Sequence, residues 1–367
     1  MFLNTDPQLS QFAMKVVGWQ RQHGRSHLPW QGTQDAYRIW LSEIMLQQTQ
    51  VATVIGYYSR FLNRFPTIAS LAAATQEDVM PYWAGLGYYA RARNLHLCAQ
   101  QLVANWNGCF PTSAKEIATL PGIGRSTAAA ISAFAHGERS PIMDGNVKRV
   151  FARYFGIHGI TSQQKTERIL WDTAHAALDA APDTLDMPAY TQGLMDLGSD
   201  CCARGRPNCL RCPLQATCYA YRSSTQDQLP TPKPRKSIPE RHCSMLVLDN
   251  AGLVLLERQA SPGIWGGLWS LPKYDDAASL RAACISWGQA GTPGHRMASM
   301  CHVFSHFKLH IEPWHVPCRN PIIAEPAAGQ AWIPVADLAT TALPAPVSKI
   351  LDGVFAARLS GAQADNG

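Results

Sequence analysis

Apolar residues recur at three- and four-residue intervals along 9–19, 39–49, 51–61, 115–120, 126–135 and 146–155. That spacing lines one face of an α-helix. It predicts a set of short helices, and prolines at 29, 66, 81, 111, 121, 141 and 188 interrupt the periods between them. Residues 1–222 therefore read as an all-α domain. Two passages echo each other within it. Phe65-Pro66-Thr67 leads to Gly85-Leu86-Gly87-Tyr88, and Phe110-Pro111-Thr112 leads to Gly122-Ile123-Gly124-Arg125. Each predicts a helix, a tight glycine turn and a second helix.

The pattern then changes. Across 223–240, Pro230, Pro232, Pro234 and Pro239 interleave with Lys233, Arg235 and Lys236, which predicts a stiff, extended, basic linker. Beyond it, 244–248 and 253–257 flank Asp249-Asn250-Ala251-Gly252, a hairpin signal. Trp265-Gly266-Gly267-Leu268-Trp269 follows, then a helical stretch over 277–287. Phe307, Leu309 and Ile311 alternate with Lys308 and His310, as on a half-buried strand. A last helix is expected over 346–359, with a frayed tail to Gly367. The second domain, 241–362, reads as α+β.

At 367 residues the chain exceeds one ordinary core, which agrees with two domains. Its hydrophobic fraction of 46% is that of a folded protein. No apolar run reaches the length of a membrane span, and the first residues, with Asp6 and Pro7, lack a secretory core. The expectation is a cytoplasmic protein, nucleoid-associated in a bacterium. The net charge of +6 is uneven: residues 1–225 hold 20 Lys+Arg against 15 Asp+Glu, the remainder 12 against 11. That surplus suits an anionic partner such as nucleic acid without requiring one.

Eleven cysteines, an odd number with four clustered, point to a reducing compartment and a metal site. The cluster is Cys202-x₆-Cys209-x₂-Cys212-x₅-Cys218. Thiolates suit zinc or an iron–sulfur centre. A zinc site usually shows two symmetric close pairs; only the middle pair is close here, which favours a [4Fe-4S] cluster. Cys201 is an alternative register for the first ligand. Arg204, Arg206 and Arg211 lie in the same loop and give it positive charge.

Three further features carry chemistry. The glycines of Leu120-Pro121-Gly122-Ile123-Gly124-Arg125-Ser126-Thr127 permit a sharp turn and close approach of a ligand to the backbone. The helix after them opens with free N–H groups suited to a phosphate; an ordinary helix–turn–helix is the plainer alternative. Asp144 precedes an apolar run, the place of a helix N-cap, where the helix dipole should hold a carboxylate anionic. Glu43 is the contrast, set in the largely apolar Ile39–Leu46 with Gln47 four residues on. Desolvation there should raise its pKa, whereas an exposed helix glutamate would be unremarked. The expectation is two carboxylates pushed in opposite directions, an acid and an anion.

Together and in this order, a Leu-Gln-Gln-Thr-Gln helix at 46–50, the Gly85-Leu86-Gly87-Tyr88-Tyr89 turn, the glycine hairpin, Asp144-Gly145-Asn146-Val147-Lys148 and the four-cysteine loop resemble the adenine DNA glycosylases of the MutY type. The likeness covers nearly the whole chain. It implies an all-α helix–hairpin–helix glycosylase domain with an iron–sulfur loop, followed by an α+β Nudix-like domain. It further implies that Glu43 protonates the adenine leaving group and that Asp144, supported by Asn146, stabilises an oxocarbenium-like sugar. Cys202, Cys209, Cys212 and Cys218 would hold the [4Fe-4S] cluster. Gln48 and Tyr88 match residues that wedge into the duplex, with surface placement and core packing as their plainer readings. Gly122, Gly124 and Lys148 would meet the DNA backbone, and Arg25 and Trp30 would line part of the adenine pocket.

Phe304-Ser305-His306 matches the family's loop for 8-oxoguanine, a polar turn being the alternative. The implied substrate is double-stranded DNA with adenine opposite 8-oxoguanine or guanine, bound by a monomer; whether a protein binds the linker stays open. Ser126 separates close relatives, because the endonuclease III branch carries a lysine there whose amine attacks the sugar. Serine predicts hydrolysis by water without strong lyase activity. Nudix hydrolases hold magnesium on a helix rich in glutamate, but 280–286 has no carboxylate, so this module is expected to bind and not hydrolyse. The rival readings are an endonuclease III-like glycosylase/lyase on oxidised bases and a non-catalytic iron–sulfur DNA-binding protein.

Overall fold

The computed structural model describes residues 7–234, 237–261, 263–287, 289, 294–318 and 325–362. Asp6, the linker residues Arg235 and Lys236, and the tail 363–367 lie outside the described residues. The chain divides into two compact units, Met1–Ala73 with Asn94–Arg235, and Ala74–Arg93 with Lys236–Gly367. The segment 74–93 thus groups with the C-terminal part of the chain.

The helices in chain order are α1 (Pro7–His23), α2 (Ala36–Leu46), α3 (Val51–Arg64), α4 (Ile68–Ala73), α5 (Gln76–Val79), α6 (Ala90–Trp106), α7 (Ala114–Ile117), α8 (Arg125–His136), α9 (Gly145–Phe155), α10 (Gln164–Asp179), α11 (Met187–Asp196) and α12 (Tyr219–Arg222). The six periodic stretches fall on α1, α2, α3, α7, α8 and α9. Periodicity did not single out α6, α10 or α11. α10 carries many charges, among them Lys165, Glu167, Arg168 and Asp172, and α6 intersperses Arg91, Arg93, Asn94, His96, Gln100 and Gln101 among its apolar residues.

Side-chain caps fix where several helices begin. Asp35 accepts from the backbone of Tyr37 and Arg38 at the start of α2, and Asp144 and Asp186 do the same for α9 and α11. In the first unit, Phe12 of α1 packs on Phe151 and Tyr154 of α9, with ring centroids 5.2 and 4.9 Å away. Buried aromatics of this kind stabilise by roughly 1.5–3 kcal/mol each. Past α12 the predicted linker begins as part of this unit: Thr231 Oγ1 accepts from the Gly159 N–H at 2.8 Å, and Arg153 Nε donates to the Leu229 carbonyl at 2.8 Å.

The second unit contains β1 (Glu240–Asn250), β2 (Leu253–Arg258), β3 (Trp269–Ser270), β4 (Lys273–Tyr274), α13 (Ala277–Ser286), β5 (His295–Arg296), β6 (Met300–Val303), β7 (Lys308–Pro317), β8 (Gln330–Pro334) and α14 (Ala345–Ala362). The sheet runs β3-β2-β1-β7-β5, with β4 on β1, β6 on β7 and β8 on β2. β1 and β7 are parallel from Glu240 opposite Lys308 to Asp249 opposite Pro317. β1 and β2 form the expected antiparallel hairpin. Along β7, Leu309 and Ile311 are buried between half-buried neighbours, matching the alternation in the sequence. Leu246, Leu248, Leu255 and Val316 form a buried cluster. Among the described residues no helix is long and apolar enough to cross a membrane.

Gly156 ends α9 in a left-handed conformation, φ 68°, and a Cβ built there would lie 2.6 Å from the Tyr219 ring. Backbone strain and steric overlap both oppose a side chain. Gly156→Ala should lower unfolding free energy by about 1–3 kcal/mol in a urea titration.

Candidate active site and cysteine loop

Around Glu43, α2 buries Ile39, Trp40, Leu41, Ser42, Ile44 and Met45. Glu43 lines a cavity of about 520 Å³ together with Arg25, Trp30, Ser42, Leu46 and Met195. Its carboxyl has no hydrogen-bond or ion-pair partner among the described residues. Burial, with a smaller contribution from the Asp144 charge, pushes its pKa up to about 8.

Asp144 caps α9, accepting from the Val147 N–H at 2.8 Å. Burial raises its pKa as well; the N–H groups of Val147 and Asn146 and the charges of Arg149 and Lys148 pull it back. This corrects the expectation of opposite shifts. Both carboxylates are moved upward by desolvation, and what separates them is their donors: Asp144 has several and Glu43 none.

The segment entering Asp144 is tied to the glycine hairpin. Ser126 Oγ, on the first turn of α8, accepts from the Met143 N–H at 2.8 Å. Gly122 needs its left-handed φ of 75°, and a Cβ there would lie 2.7 Å from Asn94 Cβ. Gly124 caps α8 without a side-chain bond, and a Cβ on it would meet nothing within 4 Å. The backbone is therefore bare at that corner. Lys148 sits in an ion pair of 2.6 Å with Glu167, its side chain only 19% exposed.

Arg25, also on the cavity wall, is fixed by Asp196. Its Nε donates to Oδ1 at 2.7 Å and its backbone N–H to Oδ2 at 3.0 Å. Gln192 Nε2 adds a third bond, to Oδ1 at 3.0 Å, and Asp196 is fully buried. Trp30 is buried edge-on to Tyr58, ring centroids 5.4 Å apart. Sequence reasoning missed Asp196. The signal was present, since Asp196 is a lone carboxylate in the apolar run Leu194–Leu197, as Glu43 is in its own.

Two arginines one turn apart join α9 to the cysteine loop. Arg149 Nη2 donates to Asn146 Oδ1 at 2.9 Å and to the Gly198 carbonyl at 2.6 Å, and its Nε to the Cys202 carbonyl at 2.6 Å. Buried Arg153 donates to the Ala203 carbonyl at 2.9 Å and stands 3.4 Å from Cys202 Sγ. Gly198 lies so close to α9 that a Cβ would be 2.7 Å from Asn146 Cβ. The i, i+4 spacing of these arginines was readable, but their targets were not.

Cys202, Cys212 and Cys218 pack half-buried against the helical core, in which Cys201 is itself buried. Burial raises the thiols of Cys209, Cys212 and Cys218, that of Cys212 to about 12. Among the described residues no three His, Cys, Asp or Glu side chains are arranged to hold a single metal ion. Arg204, Arg206 and Arg211 are exposed.

Gln48 and Tyr88 are both exposed and both left-handed, at φ 57° and 48°. Such backbone in non-glycine residues is uncommon and tends to gather at functional positions. Tyr88 is therefore not a core residue. Phe304-Ser305-His306 forms the turn between β6 and β7. The Phe304 N–H donates to the Phe307 carbonyl at 2.9 Å and their rings stack at 4.5 Å, leaving Ser305 and His306 exposed.

Residues 41–175 match the family of HhH-GPD superfamily base excision DNA repair proteins, and 243–353 match a NUDIX domain. The adenine DNA glycosylase of Buchnera aphidicola (subsp. Acyrthosiphon pisum) is 34% identical, over 93% of this chain and 97% of that relative. The chain belongs to the adenine DNA glycosylase family. The Homo sapiens adenine DNA glycosylase is 29% identical over 94% of this chain and 74% of its own. The solved structure of a thermostable thymine-DNA glycosylase superposes with a TM-score of 0.54 at 26% identity, covering 60% of this chain and all of that one. The expected architecture, a helix–hairpin–helix glycosylase domain followed by a Nudix-like domain, is borne out.

Removing the Arg25 side chain would strand the buried charge of Asp196, with only the residue-25 backbone N–H and the Gln192 amide left to answer it. Arg25→Met should cost about 3 kcal/mol of stability in chemical denaturation, and Arg25→Lys should recover part of it.

Proposed function

We propose that the protein excises adenine opposite 8-oxoguanine or guanine in double-stranded DNA by hydrolysing its N-glycosidic bond, leaving an abasic site. The observation that carries this reading is Glu43: a carboxyl at a cavity wall, raised to about 8, beside a second carboxylate at a helix N-terminus. Cleavage of an N-glycosidic bond needs a proton on the departing purine and negative charge beside the sugar. The base must first leave the stack, and the cavity lined by Arg25 and Trp30 is where it would lodge. Glu43 gives its proton to the purine. Asp144, oriented by the α9 amides and by the Met143–Ser126 bond, faces the developing oxocarbenium, with Asn146 holding Arg149 at its side. Water completes the reaction. Ser126 offers no amine for a Schiff base, and Lys148 is engaged by Glu167.

Gln48 and Tyr88 would enter the duplex where the adenine leaves it, and Gly122 and Gly124 would present bare backbone to a phosphate. Ser305, within Phe304–His306, would read the base opposite. Four soft donors on one loop suit a [4Fe-4S] cluster, which takes one thiolate per iron and so spreads its cysteines further than a single ion does. Cys202, Cys209, Cys212 and Cys218 would hold it, as thiolates. When bound, the cluster supplies a fixed anchor for the loop bearing Arg204, Arg206 and Arg211, which face solvent as phosphate contacts would.

Glu43→Gln should reduce single-turnover excision by ~10²–10⁴, or roughly 3–5.5 kcal/mol of barrier; retention of the wild-type rate would overturn the reading. The pH profile gives a second test. Glu43 is protonated below its pKa and loses the proton as pH rises, so the rate should hold up to about pH 8 and fall tenfold per unit beyond it.

Duplexes with adenine opposite 8-oxoguanine, guanine and thymine give a third. Alkali-labile sites should form on the adenine strand with the first two, and borohydride should trap no protein–DNA adduct. Strong trapping would instead support a lyase.

A further inference from the structure

The Trp265–Trp269 loop has no part in the chemistry above, yet it touches two pieces of the recognition surface. Trp265 is buried, and its ring centroid lies 5.8 Å from Phe304 and 6.3 Å from His302. Phe304 begins the turn that carries Ser305. The carbonyl of the next residue, Gly266, accepts a bond of 2.8 Å from Arg93 Nη1. Gly267, at φ 86°, lets the loop come so near that a Cβ would lie 2.8 Å from Gln76 Nε2. Arg258, ending β2, pairs with Glu77.

These contacts hold the 74–93 segment at its start, Gln76 and Glu77, and at its end, Arg93. The Tyr88 turn stands between them. Gly85 and Gly87 take positive φ there, and the Arg91 guanidinium donates to the Gly87 carbonyl at 3.1 Å while lying 5.6 Å from the Tyr88 ring. A chain of packed groups thus runs from Phe304 through Trp265, Gly266 and Arg93 to the turn that presents Tyr88.

We propose that the Trp265–Trp269 loop couples the reading of the opposite base to the placement of Tyr88, with Trp265 and Arg93 as positioning residues. This rests on the proposed function and adds a route by which its two recognition elements act as one. Contact at Ser305 biases the Phe304 turn; Trp265 follows its ring neighbour; the Gly266–Arg93 bond passes the bias to the Tyr88 turn. Coupling of this kind requires that perturbing either end change the same discrimination, and that the two perturbations not add.

The test uses the full-length protein with its cluster and two duplexes, adenine opposite 8-oxoguanine and adenine opposite guanine. Arg93→Met should lower the ratio of their single-turnover rates at least about threefold, chiefly by slowing the 8-oxoguanine duplex. Arg93→Lys, which keeps a donor for Gly266, should restore most of the ratio. Ser305→Ala should lower the ratio too, and the double variant should lose no more than the worse single. A 2-aminopurine placed next to the mispair reports unstacking by Tyr88, and its fluorescence rise should weaken in Arg93→Met on the 8-oxoguanine duplex.

Multiplicative losses in the double variant, equal slowing of both duplexes, or an unchanged fluorescence rise would overturn the coupling while leaving adenine excision intact. Wild-type protein that excised adenine from neither duplex would instead remove the functional reading, and the coupling with it.

Discussion

Desolvation of two acids, Glu43 on α2 and Asp144 at the start of α9, is the constraint on which the rest of the architecture depends. A carboxyl with no donor and little water keeps its proton, and Glu43 meets that condition only because the rest of α2 is apolar wall. The second acid is moved upward by the same burial, and the amides of the helix N-terminus where it sits oppose that shift. If α2 were wetter, Glu43 would lose its proton more readily; if Asp144 stood in mid-helix, without those amides, burial would move it further upward.

From that constraint the framework follows. α9 has to start at a fixed place, so the chain before it is bonded to Ser126 and the helix is clamped downstream by Arg149 and Arg153 to the cysteine loop. The loop is thereby tied to α9 through hydrogen bonds to its own main-chain carbonyls. Asp196 plays a comparable structural part for Arg25. Its ion pair is costly to desolvate but well satisfied, with three donors on one buried carboxylate.

The sequence foretold most of this fold, and the exceptions have physical causes. Helices with a broad apolar stripe, such as α2 and α9, were legible, as were the β1–β2 hairpin and the alternation on β7. α6 and α10 were not singled out, because their polar faces dilute the three-to-four repeat. The acids at 43 and 144 were legible as an odd residue in an apolar run and as a cap. The direction of the Asp144 shift was not, since burial depends on what packs over the helix end and no local pattern records that. The same limit hid Arg153, whose partners lie about fifty and seventy-six residues away in sequence, and the grouping of 74–93 with the C-terminal residues.

One glycine shows how little room this arrangement leaves. At Gly198 the π-helical turn after α11 and the first turn of α9 meet almost main chain to main chain, with Asn146 immediately opposite. A side chain there would press on the first turn of α9, directly beside the carboxylate that caps that helix.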